Sequence, residues 1–249
     1  MANREIPKRK AAIRLAEKIV QTMYEAGMKP GDRYLSEADA LKKHGVARAT
    51  LREALRFLEI QGVLAVRAGP GGGPEVGKPS WPHLASTLAL LLQFEGARFQ
   101  SVLEARSVLE PGMVELAAAN ATDEEIAAMG ETLDEIAQNL GVYRKFQAAY
   151  VKFWGQMARA TQNPVIALLS PALRAIVESA GFVPNELYRA EVLQQLRKIY
   201  AALAEHNTAG ARAAMTDLEA QFLRRLSAGY PRQMERVIAW SDLNPDPPI

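Results

Sequence analysis

The stretch that decides the fold lies at residues 45–64 and reads GVARATLREALRFLEIQGVL. Apolar side chains recur in it every three or four residues, which predicts one amphipathic helix from about Ala47 to Gln61. Gly62 is expected to end this helix, and the apolar run Val63–Val66 predicts a short strand after it. Two of its three arginines, Arg48 and Arg52, lie in the amino-terminal half of the helix, whereas its leucines occupy the face expected to enter a core.

The residues on either side of this helix complete a pattern. One helix is predicted at Ala11–Ala26, and a shorter one begins after Ser36 and ends near His44. The spacing of Ser36 and Asp39 is typical of a helix cap. On the other side, a glycine- and proline-rich tip at 68–74 separates two short strands. The order helix, helix, turn, helix, ribbon is that of a winged helix-turn-helix, so we expect a DNA-binding unit.

The first residues of the third helix are the candidates for DNA contact, because the amino end of a recognition helix enters the major groove. Arginine can donate two hydrogen bonds to guanine, threonine can bond a phosphate or touch a thymine methyl, and alanine offers only apolar contact. The residues expected to reach the groove are Arg48, Ala49, Thr50 and Arg52. The alternative is that the two arginines belong to an ordinary solvated helix surface.

Composition and charge limit the functions that this chain can have. The chain has 249 residues, of which 49% are hydrophobic and 23% charged, as in a globular protein. It has no cysteine, which excludes disulfides and thiolate chemistry, and only three histidines, which limit imidazole catalysis and metal binding. The net charge of +2 conceals +6 over residues 1–78 and −4 over residues 79–249. We therefore expect a polyanion to meet the first part only.

The rest of the chain reads as helices separated by short turns. The predicted spans are 82–93, 100–120, 123–140, 142–162, 164–179, 185–205 and 209–228, with a short helix at 233–240 and a frayed tail at 243–249. Seven helices with short loops predict an antiparallel bundle. The expected fold is mainly α, and its parts are a winged helix-turn-helix at 1–78, a linker at 79–82, an all-helical domain at 83–230 and a C-terminal extension at 231–249.

The apolar stretch Trp81–Phe94 is shorter than the roughly 20 residues that a membrane-spanning helix needs. No apolar segment follows the basic residues 1–10 as it would in a secretory signal. We expect a soluble cytoplasmic protein that does not contact a membrane.

These motifs together resemble the GntR family of bacterial transcription regulators. In the first unit the likeness is carried by Leu35-Ser36-Glu37, Gly45-Val46-Ala47-Arg48, Leu51–Leu55, Leu58-Glu59, Gly62-Val63-Leu64 and the glycine-rich wing. The helical remainder resembles the effector-binding and dimerisation domain of the FadR-type branch, through Leu103–Arg106, Leu109–Pro111, Ala117–Thr122 and Ala158–Pro164. The likeness spans roughly residues 10–228.

The resemblance implies a homodimer that binds a palindromic double-stranded operator, commonly as a repressor, with a small-molecule effector altering its DNA affinity. Ser36 is also expected at the DNA, and so are the wing glycines Gly71, Gly72 and Gly73, whose lack of side chains lets the backbone approach the sugar-phosphate closely. The sequence departs from the family at Ala47, where a serine or threonine is common, and at Ala38, where many members have an arginine. These departures bear on which operator is preferred.

Most FadR-type domains hold a divalent metal with one aspartate and three histidines. Placed on this sequence, those positions fall on Tyr150, Trp154, Leu196 and Leu218, and no histidine lies near them. We therefore expect no metal and no other cofactor. The alternative is a metal-dependent regulator of small organic acids whose ligands are misaligned here.

The residues in these positions form an apolar and aromatic set. Tyr150 and Trp154 are four apart and share a helix face with Phe146 and Met157, while Leu196 and Leu218 would approach from two other helices. The set is either core packing or an effector pocket, and the sequence leaves both open.

The family places an arginine in the cavity of this domain, and Arg106 matches it. Arg106 either pairs with Glu110, four residues on, or faces the cavity and binds an effector carboxylate. The second possibility predicts an apolar or aromatic anion, such as an acyl-coenzyme A or a carboxylic acid.

Two other classes of protein fit the sequence less well. An all-helical enzyme would need a catalytic set, and the sequence offers no cysteine, no metal cluster and no Ser-His-Asp candidates. A helical scaffold with a basic end could bind RNA or acidic partners, but the order of recognition helix and wing argues against it.

Overall fold

The structure, a computed structural model, describes residues 5–67 and 73–243, with side chains from Lys10 onward. The chain divides into two compact units, residues 1–83 and 84–249, and each is described by itself. Most of the described residues are helical, which confirms the mainly α fold.

The first unit is a three-helix core with a β-ribbon. Its elements are α1 (Glu5–Glu25), α2 (Glu37–His44), α3 (Arg48–Ile60), β1 (Leu64–Arg67) and β2 (Gly73–Val76). The core is formed by buried side chains from every helix and from β1, among them Ile19, Ala40, Leu51, Leu58 and Leu64. The apolar face of α3 thus packs into this core, and the opposite face of α3 is exposed to solvent.

The ribbon is antiparallel, with Leu64 opposite Val76 and Arg67 opposite Gly73. The loop before α2 lies alongside β2, because the N–H of Tyr34 donates to the carbonyl of Pro74 at 2.8 Å. Both strands of the ribbon are therefore held to the helical core, β1 through buried Leu64 and β2 through the hydrogen bond from Tyr34.

Helix α1 begins at Glu5, six residues before the predicted start. The residues before Ala11 are mostly polar and basic, so they carry no apolar periodicity that could reveal a helix. Pro7 lies in the first turn, where a missing backbone N–H costs no helical hydrogen bond.

The second unit is a helical bundle. Its elements are α4 (Trp81–Phe94), which starts within the first unit, α5 (Phe99–Asn120), α6 (Asp123–Gln138), α7 (Tyr143–Ala160), α8 (Pro164–Glu178), α9 (Glu186–Ala204), α10 (Thr208–Gly229) and α11 (Pro231–Glu235), with a 3₁₀ helix at Trp240–Leu243. Helix α5 packs against α7, α8, α9 and α10, so it forms the centre of the bundle. No helix in the described residues is long and apolar enough to cross a membrane.

The predicted helix at 233–240 is wrong. Helix α11 ends at Glu235, and Val237 then pairs as an isolated bridge with Arg98. The N–H of Ile238 donates to the carbonyl of Ala97 at 3.0 Å, which holds the chain extended against the start of α5. Pro231 at the first helical turn explains why α11 begins where it does.

Candidate DNA interface and effector cavity

The amino end of α3 presents exposed cations. Arg48, Ala49 and Arg52 are exposed, whereas Thr50 is partly buried. Ala47 at the helix cap makes no side-chain bond to the first turn, so backbone N–H groups there stay available to a partner. Free N–H groups, the positive end of the helix dipole and two guanidinium groups together suit a phosphate backbone.

Glu37 in the first turn of α2 pairs with both arginines. Its Oε1 lies 3.0 Å from Nε of Arg52 and 3.3 Å from Nε of Arg48. The arginine side chains remain 65% and 70% exposed, so the three residues form an open cluster that DNA can reach. Glu37 belongs to the Leu35-Ser36-Glu37 motif, but the sequence does not predict it as an ion-pair partner. Nothing in the spacing signals contacts between Glu37 and residues that lie 11 and 15 positions further along the chain.

The described residues show a capping role for Ser36, and they include one glycine of the wing. The hydroxyl of Ser36 accepts from the N–H of Asp39 at 3.2 Å and donates to its carboxylate at 2.6 Å, so it caps α2. Gly73 is the first residue of β2, and its φ of 150° favours glycine. The predicted wing contacts Gly71 and Gly72 lie outside the described residues.

In the second unit, α7 carries the predicted aromatic stripe. The rings of Phe146 and Tyr150 stack with centroids 5.7 Å apart, and Tyr150 meets Trp154 edge-on at 6.1 Å. Trp154 is buried, and its indole N–H has no hydrogen-bond partner among the described residues. The remaining predicted members, Met157, Leu196 and Leu218, lie in the same buried core.

Arg106 is buried and paired with carboxylates of the chain itself. Its Nε donates to Oε1 of Glu110 at 3.0 Å, and its Nη2 donates to Oε1 of Glu219 at 2.8 Å. Glu110 also pairs with Arg174, which makes a four-residue ionic cluster joining α5, α8 and α10. The pairing with Glu110 that the spacing suggested is therefore present, and Glu219 and Arg174 were not predicted. Their contribution depends on tertiary packing, which a single sequence does not reveal.

Charge balance inside this ionic cluster sets the pKa of its members. Burial alone would lower the pKa of Arg106, but Glu110 and Glu219 raise it above its ordinary value. Burial would raise the pKa of Glu110, yet Arg106 and Arg174 lower it. Burial raises the pKa of Glu219, against the opposing effect of Arg106. Glu110 is thus the carboxylate that the two guanidinium groups hold in its charged form.

The residues at the family's metal positions do not fit a divalent ion. Tyr150 and Trp154 both contact Arg174, whose guanidinium carbon lies 3.5 Å from the centre of the Trp154 ring, with Nη1 3.4 Å from the Tyr150 hydroxyl. Leu196 and Leu218 offer no donor atom, and a second cation would be repelled by the guanidinium. Across residues 5–67 and 73–243, no three histidine, cysteine or acidic side chains are grouped to hold a metal.

A cavity lies among α7, α8, α9 and α10. The cavity has a volume of about 130 Å³. Of the predicted effector residues, Phe146 and Tyr150 line it, whereas Arg106, Trp154, Met157, Leu196 and Leu218 do not. The lining includes seven of the 17 aromatic residues of the chain, which are Tyr143, Phe146, Tyr150, Phe182, Tyr188, Phe222 and Tyr230.

Five of these rings are not predicted from the sequence, because they come from segments with no shared spacing. Phe182 lies in the loop after α8, and Tyr230 follows α10. Their rings meet edge-on with centroids 5.2 Å apart. Only the fold brings them to α7. Burial raises the pKa of the Tyr188 phenol, which keeps it an uncharged hydroxyl near neutral pH.

Comparison with known proteins agrees with this arrangement. Residues 101–220 match the FCD domain. The chain is 26% identical to the HTH-type transcriptional regulator YcbG of Bacillus subtilis, over 79% of this chain and 81% of that protein. It is 24% identical to the galactonate operon transcriptional repressor of Escherichia coli K12, over 86% of this chain and 94% of that protein.

A solved structure supports the fold. The GntR protein of Streptococcus agalactiae superposes with a TM-score of 0.68 at 23% identity, and the match covers 86% of this chain and 99% of that one. These relatives are regulators rather than enzymes. The winged helix-turn-helix order of the first unit, the FCD match over residues 101–220 and the similarity to these regulators together support a GntR-family transcription regulator of the FadR type.

Proposed function

We propose that this protein is a ligand-responsive repressor that binds a palindromic operator as a homodimer. The observation that carries the proposal is the open pair of arginines at the start of α3, with a β-ribbon in the same unit. The name of the galactonate operon repressor supports repression as the direction of control. Such a regulator acts in the cytoplasm, where its operator is.

We propose that the effector binds in the aromatic cavity of the second unit. The seven rings offer a mostly apolar surface, and the tyrosine hydroxyls supply polar contacts that orient a ligand. The sequence favoured an anionic effector because a buried Arg106 would need a partner. Glu110 and Glu219 now fill that need, so the reason for an effector carboxylate no longer stands.

The homodimer is proposed to form through α5 and α8. A single recognition helix reads one half-site, so a palindrome needs two copies. A groove between these helices is lined by apolar side chains, of which Val108, Leu109 and Leu116 are exposed. Gly112 lies between them and lets another backbone approach closely. Leu109→Glu should shift the mass measured by light scattering from dimer to monomer, and an unchanged dimer would place the interface elsewhere.

The test of regulation uses DNA selected by the protein itself. Random duplexes are enriched on the full chain, and the affinity of the selected sequence is measured by fluorescence anisotropy at several salt concentrations. We expect an inverted repeat, together with an affinity that falls steeply as salt rises because phosphate contacts release counterions. A flat salt response, or no preferred sequence, would contradict a DNA-binding regulator.

The absence of a metal requirement is tested separately. Protein purified without chelator is expected to hold no stoichiometric zinc, nickel or manganese by elemental analysis. A bound metal would restore the alternative of a metal-dependent regulator with misaligned ligands.

A further inference from the structure

The charged groups that line the aromatic cavity are Glu178 and Arg225. Arg225 is already matched, because its Nη1 donates to Glu191 at 2.8 Å and its guanidinium lies 4.0 Å from the centre of the Tyr188 ring. Glu178 has no ion-pair partner within the part of the chain that the structure describes, and desolvation raises its pKa against the opposing effect of Arg174 and Arg106. The unmatched charge at the cavity wall is therefore negative.

The neighbouring cations form no ion pair with Glu178 and do not line the cavity. Arg106 and Arg174 belong to the ionic cluster with Glu110 and Glu219, and neither lines the cavity. Arg189 lies 5.8 Å from the centre of the Phe146 ring and donates to the backbone carbonyls of residues 140 and 184, both at 2.6 Å. It does not line the cavity either.

Aromatic rings around an unmatched carboxylate favour one kind of ligand. The face of each ring carries partial negative charge and attracts an ammonium group, while a carboxylate forms a charge-assisted hydrogen bond with it. An anion in the same place would meet the ring faces and Glu178 with the same sign of charge. Building on the proposed effector site, we propose that the cavity binds an organic cation, an alkyl or aryl ammonium compound whose nitrogen lies against Glu178.

The experiment compares three probes that share one ring and differ in charge. Isothermal titration of the full chain is done with 2-phenylethylammonium, 3-phenylpropionate and 3-phenylpropionamide. We expect the ammonium compound to bind at least about tenfold more tightly than the other two, which is the scale of one hydrogen bond to a charged group. Tighter binding of the carboxylate or the amide, equal binding of all three, or no binding by any of them would overturn the proposal.

Two variants locate the nitrogen. Glu178→Gln keeps the shape of the side chain and removes its charge, so the affinity for 2-phenylethylammonium should fall roughly 10- to 100-fold. Glu131→Gln is the matched control, because Glu131 is an exposed acid on α6 that does not line the cavity. An equal effect of both variants, or none from Glu178→Gln in a protein with an unchanged melting temperature, would overturn the assignment.

The outcomes separate this proposal from the proposed function. Operator binding by the free protein is measured in parallel and does not depend on the probe. If the protein binds its selected operator and prefers the carboxylate, the cation proposal fails and the regulator remains. If it selects no operator, the regulator fails whatever the probes do.

Discussion

Two clusters of arginine and glutamate in this protein differ in their exposure to solvent. In the first unit, Glu37 holds Arg48 and Arg52 in an open cluster that water and DNA can reach. In the second unit, Glu110 joins Arg106 and Arg174 where almost no solvent reaches. In the first unit the ion pairs can be exchanged for contacts with DNA. In the second unit the same kind of ion pair is part of the internal structure. Exposed ion pairs add little stability, whereas breaking a buried pair leaves a charge that nothing solvates.

Loss of the buried carboxylate is expected to give the largest effect. Glu110→Gln leaves two buried guanidinium groups facing a neutral amide, so the free energy of unfolding should fall by about 3–5 kcal/mol. Urea denaturation followed by circular dichroism measures this change. Glu53→Gln, an exposed acid on α3, is the control and should leave the midpoint unaltered. A loss below about 1 kcal/mol for Glu110→Gln would mean that water enters the ionic cluster.

Trp154 tests whether the aromatic stripe of α7 is core or cavity wall. Trp154→Ala removes a fully buried ring that contacts Arg174, and we expect a loss of about 3–5 kcal/mol in unfolding free energy. Tyr150→Phe removes one hydroxyl next to the cavity and should leave the fold largely intact while weakening effector binding. The reverse pattern, a stable Trp154→Ala protein that has lost only effector binding, would make Trp154 part of the ligand site.

How far the sequence could predict this molecule depends on the range of the interaction. The cap at Ser36 and the apolar face of α3 act within a few residues, so their positions were predictable. The partner of Arg106 at Glu110 lies one helical turn away and was also within reach. The partner at Glu219 is 113 residues away, and no single-sequence pattern predicts such a contact.

The cavity follows the same rule. Phe146 and Tyr150 were found because they share a helix face, whereas Phe182 and Tyr230 reach the cavity only through the fold. Met157 shares that helix face, and Leu196 and Leu218 fall at the family's metal positions, but all three are buried in the core. Periodicity identifies the face of a helix that is covered, but it does not tell whether a ligand or another helix covers it.

At the open cluster, the arginines are expected to matter for DNA rather than for folding. Arg52→Ala should weaken binding to the selected operator by about 1–3 kcal/mol if the side chain reads a guanine. The melting temperature should stay nearly the same, because Arg52 pairs only at the surface. Arg197→Ala, an exposed arginine on α9, is the matched control in fluorescence anisotropy titrations. If Arg52→Ala left the operator affinity unchanged, Arg52 would not be a residue that contacts the bases.

Glu37 is expected to give the smallest effect and the most specific one. In the free protein its carboxylate competes with DNA phosphates for Arg48 and Arg52, and it also repels the phosphates themselves. Glu37→Gln should therefore raise the affinity for unrelated duplexes by about two- to fivefold, so that the operator is preferred over them by a smaller factor. The free energy of unfolding should fall by less than about 1 kcal/mol. Titrations of operator and scrambled duplex at one salt concentration measure both quantities. Weaker binding of both duplexes would show instead that Glu37 holds the arginines in the geometry that DNA requires.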